Sequence, residues 1–211
     1  MGVTPGAVGG SADMRRRRRR GGFPFLILLL AVAAAGGLFS LWWWSAWRLE
    51  HSQDARILEA ATRYAIDPTL VKAVMWKESR FNPRARGRAG EIGLMQLMDP
   101  AAQEWAETVR AYPLPESALY DPRTNVLAGA WYLRKLLQRY RDTDNATRYA
   151  LADYNAGRGN VLKWARGPGQ TNSATFLTQI GYPSTRDYVD AVMRRWDHYQ
   201  RRGDFPAAGP R

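Results

Sequence analysis

The amino-acid sequence predicts a mostly α-helical domain with at most a tiny β-hairpin, preceded by one transmembrane helix. Three observations carry this expectation. Between Ser52 and Arg202, apolar residues recur at spacings of three, four and seven, the period of a helix face. No convincing run alternates apolar and polar residues as a half-buried strand would. Ahead of this region, Phe23 to Trp47 form an uncharged, mostly apolar stretch.

As a helix rising ~1.5 Å per residue, that stretch would reach roughly 37 Å, more than the ~30 Å hydrocarbon core of a bilayer. Tilt or an interfacial end takes up the difference, and Trp42, Trp43, Trp44 and Trp47 suit the far interface. An unbroken basic run, Arg15 to Arg20, precedes it. Under the positive-inside rule these arginines stay cytoplasmic and everything after Arg48 is exported. The sequence thus divides into a disordered basic cytoplasmic tail (1–22), a single-pass transmembrane anchor (23–47), an exported domain (48–202) and a short disordered tail (203–211). Ala31, Ala33 and Ala35 keep a cleavable signal peptide open as the alternative, although the apolar run continues well past them.

Charge and composition narrow the function classes. Arg15 to Arg20 against Asp13 account for +5 of the net +12, which leaves +7 on the residues from 48 onward. A basic exported domain suits an anionic polymer or surface, and equally a merely soluble basic face. Beside a membrane span an arginine block is a topology signal, so no nucleic-acid partner is expected. The chain has no Cys, which excludes disulfides, thiolate metal sites, thiol nucleophiles and a lipidated N-terminal cysteine. His51 and His198 are isolated and no acidic cluster has ligand spacing, so neither a metal nor another cofactor is expected.

The helices follow in order. Ile57, Leu58, Ala61 and Tyr64 mark an amphipathic first helix of the domain. Asp67 before Pro68 starts the next, since Asp caps and Pro is tolerated at the first helical position. From Asn82 to Gly93 the pattern breaks into a loop with Pro83, Gly87, Gly90 and Gly93. Helical pattern resumes from Pro100 to Val109, from Asp121-Pro122 to about Tyr140, and from about Ala146 to Asn155. The last helix starts near Thr185 and carries Tyr188, Val189, Val192, Met193 and Trp196. Gly157-Arg158-Gly159 reads as a helix-ending turn, too short for a nucleotide motif. Trp105, Trp131, Trp164 and Trp196 have helical spacing that favours core positions over sugar stacking.

One residue breaks its own pattern. Glu78 lies on the apolar stripe of the helix Pro68 to Ser79, with Val71, Val74 and Met75. A carboxyl group there points toward a core or cleft, where desolvation raises its pKa and keeps it protonated near neutral pH, as a general acid requires. The ordinary alternative is an exposed Glu paired with Lys77 or Arg80.

Four segments in order carry a resemblance: Lys77-Glu78-Ser79 with Asn82-Pro83, then Gly93-Leu94-Met95-Gln96-Leu97-Met98, then Tyr154-Asn155-Ala156-Gly157, then Thr185-Arg186-Asp187-Tyr188-Val189. Together with Asp121-Pro122 and Asn125 to Leu133, they resemble the lytic transglycosylase domain of the soluble-lytic-transglycosylase type over roughly residues 52–200. The resemblance implies a lysozyme-like fold and cleavage of the β-1,4 bond between N-acetylmuramic acid and N-acetylglucosamine in peptidoglycan glycan strands, ending in a 1,6-anhydro sugar with no water consumed. It implies Glu78 as the catalytic residue, acid and then base, and Gln96, Met98, Tyr154, Asn155 and Tyr188 as cleft residues. Tyr154 is expected near Glu78, its phenol bonding the acid or the substrate, while Tyr188 carries less weight because its spacing with Val192 also fits a packing face.

Three departures stand out. The family commonly has Ser at the place of Gly87, where a hydroxyl would orient the acid; it commonly has Glu at Ser184; and its Met-Pro becomes Met98-Asp99-Pro100 here. Asp99, Glu91 and Asp153 are expected to be structural or peripheral, since the resemblance uses no second acid. Two other readings remain open: a non-catalytic wall-binding or scaffold protein that keeps the cleft, and a water-using muramidase of the same fold. Partner proteins in the envelope are left unassigned.

Overall fold

The structure, a computed structural model, describes residues 22–205. Of the two tails expected to be disordered, residues 1–21 and 206–211 lie outside the described residues. The chain divides into two units, residues 1–45 and 46–211. Helix α1 (Gly22–His51) begins in the first unit and is exposed from Ile27 to Leu49. By length and composition it is able to cross a membrane.

The second unit continues with α2 (Asp54–Tyr64), α3 (Pro68–Ser79), α4 (Asp99–Thr108), α5 (Pro122–Arg139), α6 (Ala146–Ala156), α7 (Arg158–Trp164), α8 (Ser173–Gln179) and α9 (Pro183–Arg202). Short 3-10 turns cover Glu116–Tyr120 and Gly167–Gln170. The described residues form no strand. The loop from Asn82 holds two isolated bridges, Arg86 with Ile92 and Ile92 with Leu97, which is as much of a hairpin as forms.

Side-chain caps begin four of the described helices. The Asp67 carboxylate accepts from the Thr69 N–H at 2.8 Å and Pro68 occupies the first turn of α3. Asp121 and Pro122 repeat the device on α5, where Asp121 accepts from the Thr124 N–H at 2.8 Å. Asn145 caps α6 through the Arg148 N–H, and Asn172 caps α8 through the Thr175 N–H. Gly157, at φ +80°, ends α6 and begins α7 at once. The expected turn Gly157-Arg158-Gly159 is therefore only its first residue: Gly159 lies inside α7.

Packing brings α3 and α6 onto α9, with α5 between α2 and α6. Val71, Val74, Met75, Leu133, Val189 and Val192 are fully buried in this core, each such side chain contributing roughly 1.5–3 kcal/mol. Leu58 departs from the expected stripe of α2 and is exposed, while Ile57 and Ala61 face inward. Trp105 and Trp164 are core residues, whereas Trp131 and Trp196 are half-buried.

Gly203–Phe205 also depart from expectation, because this part of the second tail is ordered. Lys72, without exposed surface, pairs with Asp54 and with Asp204, each at 2.8 Å. Its ammonium also lies 5.2 Å from the Tyr199 ring centre and 5.3 Å from that of Phe205. A buried cation without such partners would be strongly destabilising, so Lys72 holds the segment after α9 against the core.

Candidate active site

Glu78 is the penultimate residue of α3, on the stripe that Val71, Val74 and Met75 bury completely. The helix stops just after it, because Arg80 and Phe81 adopt left-handed φ values of +53° and +64°. The chain therefore turns away and leaves the acid at the rim of the core. Its Oε1 accepts a hydrogen bond from the Tyr188 hydroxyl at 2.5 Å. Burial pushes the Glu78 pKa up to about 7; the Tyr188 hydrogen bond and the Lys77 charge pull it down, and the Glu91 charge pushes it further up. Burial also holds the phenols of Tyr188 and Tyr154 well above their usual range, with the Glu78 charge adding to it.

The segment Gly93–Leu97 is fixed beside α3 by four sets of contacts. Ser79 Oγ donates to the Leu94 carbonyl at 2.7 Å. Buried Asn125 accepts from the Met95 N–H at 2.8 Å and donates to the carbonyls of Ile92 and Leu119, both at 2.9 Å. The Tyr154 hydroxyl donates to the Met95 carbonyl at 2.7 Å. Gly129 lets Met95 lie against α5: a Cβ there would come within 2.4 Å of the Met95 sulfur. Gly93, at φ +78°, is enclosed by Asn125 and the Leu119 carbonyl, so neither its backbone nor its space admits a side chain.

A single half-buried carboxyl that titrates near neutrality and is oriented by a hydroxyl can give a proton and then take one back. Which reaction uses it is a matter of kinship as well as geometry. A family model described as the transglycosylase SLT domain matches residues 55–177. The chain belongs to that family. Among curated proteins the SLT region is similar to the soluble lytic murein transglycosylase of Salmonella typhimurium, 32% identical over 66% of this chain and 22% of that protein. It is also similar to the membrane-bound lytic murein transglycosylase C of Pectobacterium atrosepticum, 34% identical over 51% of this chain and 32% of the other. Among solved structures, an inactive Glu-to-Gln mutant of the lytic transglycosylase Slt from Pseudomonas aeruginosa superposes with a TM-score of 0.67, 26% identity and coverage of 75% of this chain and 25% of that one. The chain thus spans about a fifth to a third of the length of these relatives.

Within the SLT domain the expected cleft residues divide by what they touch. Tyr188 bonds Glu78 directly, although it carried the lesser weight. Tyr154 does not bond the acid: its hydroxyl is taken by Met95, and its ring lies 5.6 Å from that of Tyr132. The Gln96 amide donates to the carbonyls of Gly93 and Ala85, at 2.9 and 3.2 Å, so its N–H groups brace the loop. Met98 precedes α4 and is 43% exposed, so it is not a core residue. Asn155 accepts from the Thr185 hydroxyl at 2.9 Å and so joins α6 to α9.

Asn125 and Gly129 received no role from the sequence. A signal existed: they lie four residues apart on one face of α5, where a polar residue and a helix-weakening glycine both call for a reason. The surface cavity of about 520 Å³ lined by Pro83, Arg84, Tyr120 and Pro122 is not lined by Glu78. Chemistry here follows the desolvated acid.

Proposed function

We propose that the chain is a membrane-anchored lytic transglycosylase that cleaves the β-1,4 bond between N-acetylmuramic acid and N-acetylglucosamine in peptidoglycan. The observation that carries this reading is Glu78, half-buried, held by Tyr188 and titrating at about pH 7. Protonated, it donates to the leaving glycosidic oxygen as the bond to the anomeric carbon breaks. As carboxylate, it then takes the proton of the muramyl 6-hydroxyl, whose oxygen closes onto that carbon. The products are a free 4-hydroxyl and a 1,6-anhydromuramic end, with no water consumed. One carboxyl does both jobs because the substrate supplies the nucleophile, whereas ordinary glycosidases need two acids. The murein named in its relatives and the inactivity of a Glu-to-Gln mutant of a structural neighbour support the assignment. Gln96, Met98, Tyr154, Asn155 and Tyr188 line the sugar cleft on this reading, with Met98 and Asn155 its exposed members.

Residues 23–47 serve as the inner-membrane anchor, residues 1–22 as the cytoplasmic tail, and the part from residue 48 onward as the lytic transglycosylase domain facing the wall. The exposed apolar length of α1, its tryptophans and the arginine block before it support this arrangement. Digesting purified peptidoglycan with the full chain and weighing the fragments tests the proposal. Fragments one water lighter than hydrolytic products are expected. Reducing ends would mean a muramidase, and intact glycan a wall-binding protein.

A further inference from the structure

The segment that joins α6 to α9 carries charge of one sign. From Tyr154 to Arg186 the chain has Arg158, Lys163, Arg166 and Arg186 but no Asp or Glu. Arg186 donates to the Ile180 carbonyl at 3.1 Å; among the described residues the other three have no acidic partner. Lys163 and Arg166, both exposed, line a surface cavity of about 400 Å³ together with Trp164 and Gln179. The Gln179 amide, at the end of α8, donates to the Arg166 carbonyl at 3.2 Å and accepts from the Arg166 N–H at 3.4 Å, which fixes the backbone under that guanidinium. Gly169 makes room for this contact, since a Cβ there would collide with Gln179 Oε1. Trp164 is nearly buried, and Tyr182 meets its ring edge-on at 5.1 Å. A Cβ on Gly181 would come within 2.9 Å of Trp164 Nε1, so this glycine leaves the indole N–H uncovered. Ammonium, guanidinium and indole N–H donate and do not accept, so the cavity suits an anion with acceptor oxygens.

We propose that this cavity binds carboxylates of the peptide that muramic acid carries on its lactyl group, with Lys163 and Arg166 pairing with the oxygens and Trp164 adding its indole N–H. The inference rests on the peptidoglycan reading and deepens it, because it makes the protein select strands that still bear peptides. On an intact strand the lactyl carboxyl is used up in the amide bond to the peptide, so the acidic groups lie on the peptide, away from the sugars. The cavity is placed accordingly. Its segment leaves α6 at Gly157, next to the cleft residue Asn155, and returns in α9, where Thr185 donates to Asn155 at 2.9 Å across its base. From Asn155 to Lys163 the chain is mostly helix and spans roughly 20 Å at most, while an extended peptide of three to five residues covers roughly 10–18 Å.

Binding without turnover tests this. The full chain carrying Glu78→Gln, held in detergent micelles, is titrated with soluble glycan strands that bear peptides and with the same strands stripped by an amidase, which returns a free lactyl carboxylate to each muramic acid. Binding about five- to tenfold tighter to the peptide-bearing strands is expected, as two exposed charge pairs would supply. Lys163→Gln with Arg166→Gln should abolish that preference and leave affinity for stripped strands unchanged. Arg158→Gln removes one charge from the same segment outside the cavity and should keep the preference. Equal affinity for the two kinds of strand, or no binding to either, overturns the proposal. So does a loss from Arg158→Gln as large as that from Lys163→Gln alone, which would mean diffuse attraction with no site. The functional reading fails separately, if the wild-type chain releases no fragments one water lighter than hydrolytic products from either kind of strand.

Discussion

Tyr188 and the surrounding core act on Glu78 in opposite directions. Burial disfavours the carboxylate, while the phenol O–H donates to it and so favours it. Tyr188→Phe should therefore raise the Glu78 pKa further, moving the high-pH fall of kcat/KM upward, and cut the rate by about ten- to a hundredfold as the acid loses its orientation. A pH-rate profile checks both. Burial has a second consequence, for stability. The Glu78 pKa is about 7 in the fold against an ordinary 4.5, so stability falls as pH rises from about 4.5 to about 7, where the unfolded chain has released a proton the fold still holds; the loss is complete above pH 7 and absent below about 4.5. Glu78→Gln should stabilise the protein at pH 8.5, by on the order of 3 kcal/mol at most, and leave it unchanged at pH 4; denaturant melts at the two pH values measure this. Glu78 was legible because a charge on an apolar stripe has few explanations. Tyr188 was legible only through the family resemblance, because its spacing with Val189 and Val192 is the same whether its hydroxyl meets solvent, backbone or an acid.

At the scale of elements, the site depends on a loop that has no regular structure of its own. Gly93–Leu97 is held by Ser79 from α3, Asn125 and Gly129 from α5, and Tyr154 from α6. Asn125→Ala would take the Asn125 partner from the Met95 N–H and the Leu119 carbonyl in the interior, while the Ile92 carbonyl keeps the Leu97 N–H at 3.0 Å. With about 1–3 kcal/mol for each unsatisfied group, the expected loss is roughly 2 kcal/mol or more in urea unfolding, with cleavage activity falling alongside. Helices with a capping Asp and a following Pro, α3 and α5, could be placed to within a residue or two from the sequence. Helices α7 and α8 could not, since seven residues make two turns and show too little of the 3.6 period to stand out from a loop. The ordered Gly203–Phe205 escaped for another reason: nothing local marks it, and its order comes from Lys72, far away in the sequence.

The whole chain carries a helix suited to a bilayer and a basic helical domain in which Glu78 is pushed to titrate near neutrality. The full chain should sediment with membranes, resist extraction by high salt, and dissolve in detergent; a chain starting at Ala46, the first residue of the second unit, should stay soluble and keep its cleavage activity. Fractionation followed by immunoblotting reads the first outcome, and glycan release the second. On the proposed function one carboxyl, on Glu78, supplies both the proton and the base. The most direct test is the rate of soluble fragment release from peptidoglycan by full-length Glu78→Gln, measured beside wild type at the same pH and with equal folding by circular dichroism. A fall of about a thousandfold or more is predicted for a group that acts in both steps; a rate within a few-fold of wild type would contradict it.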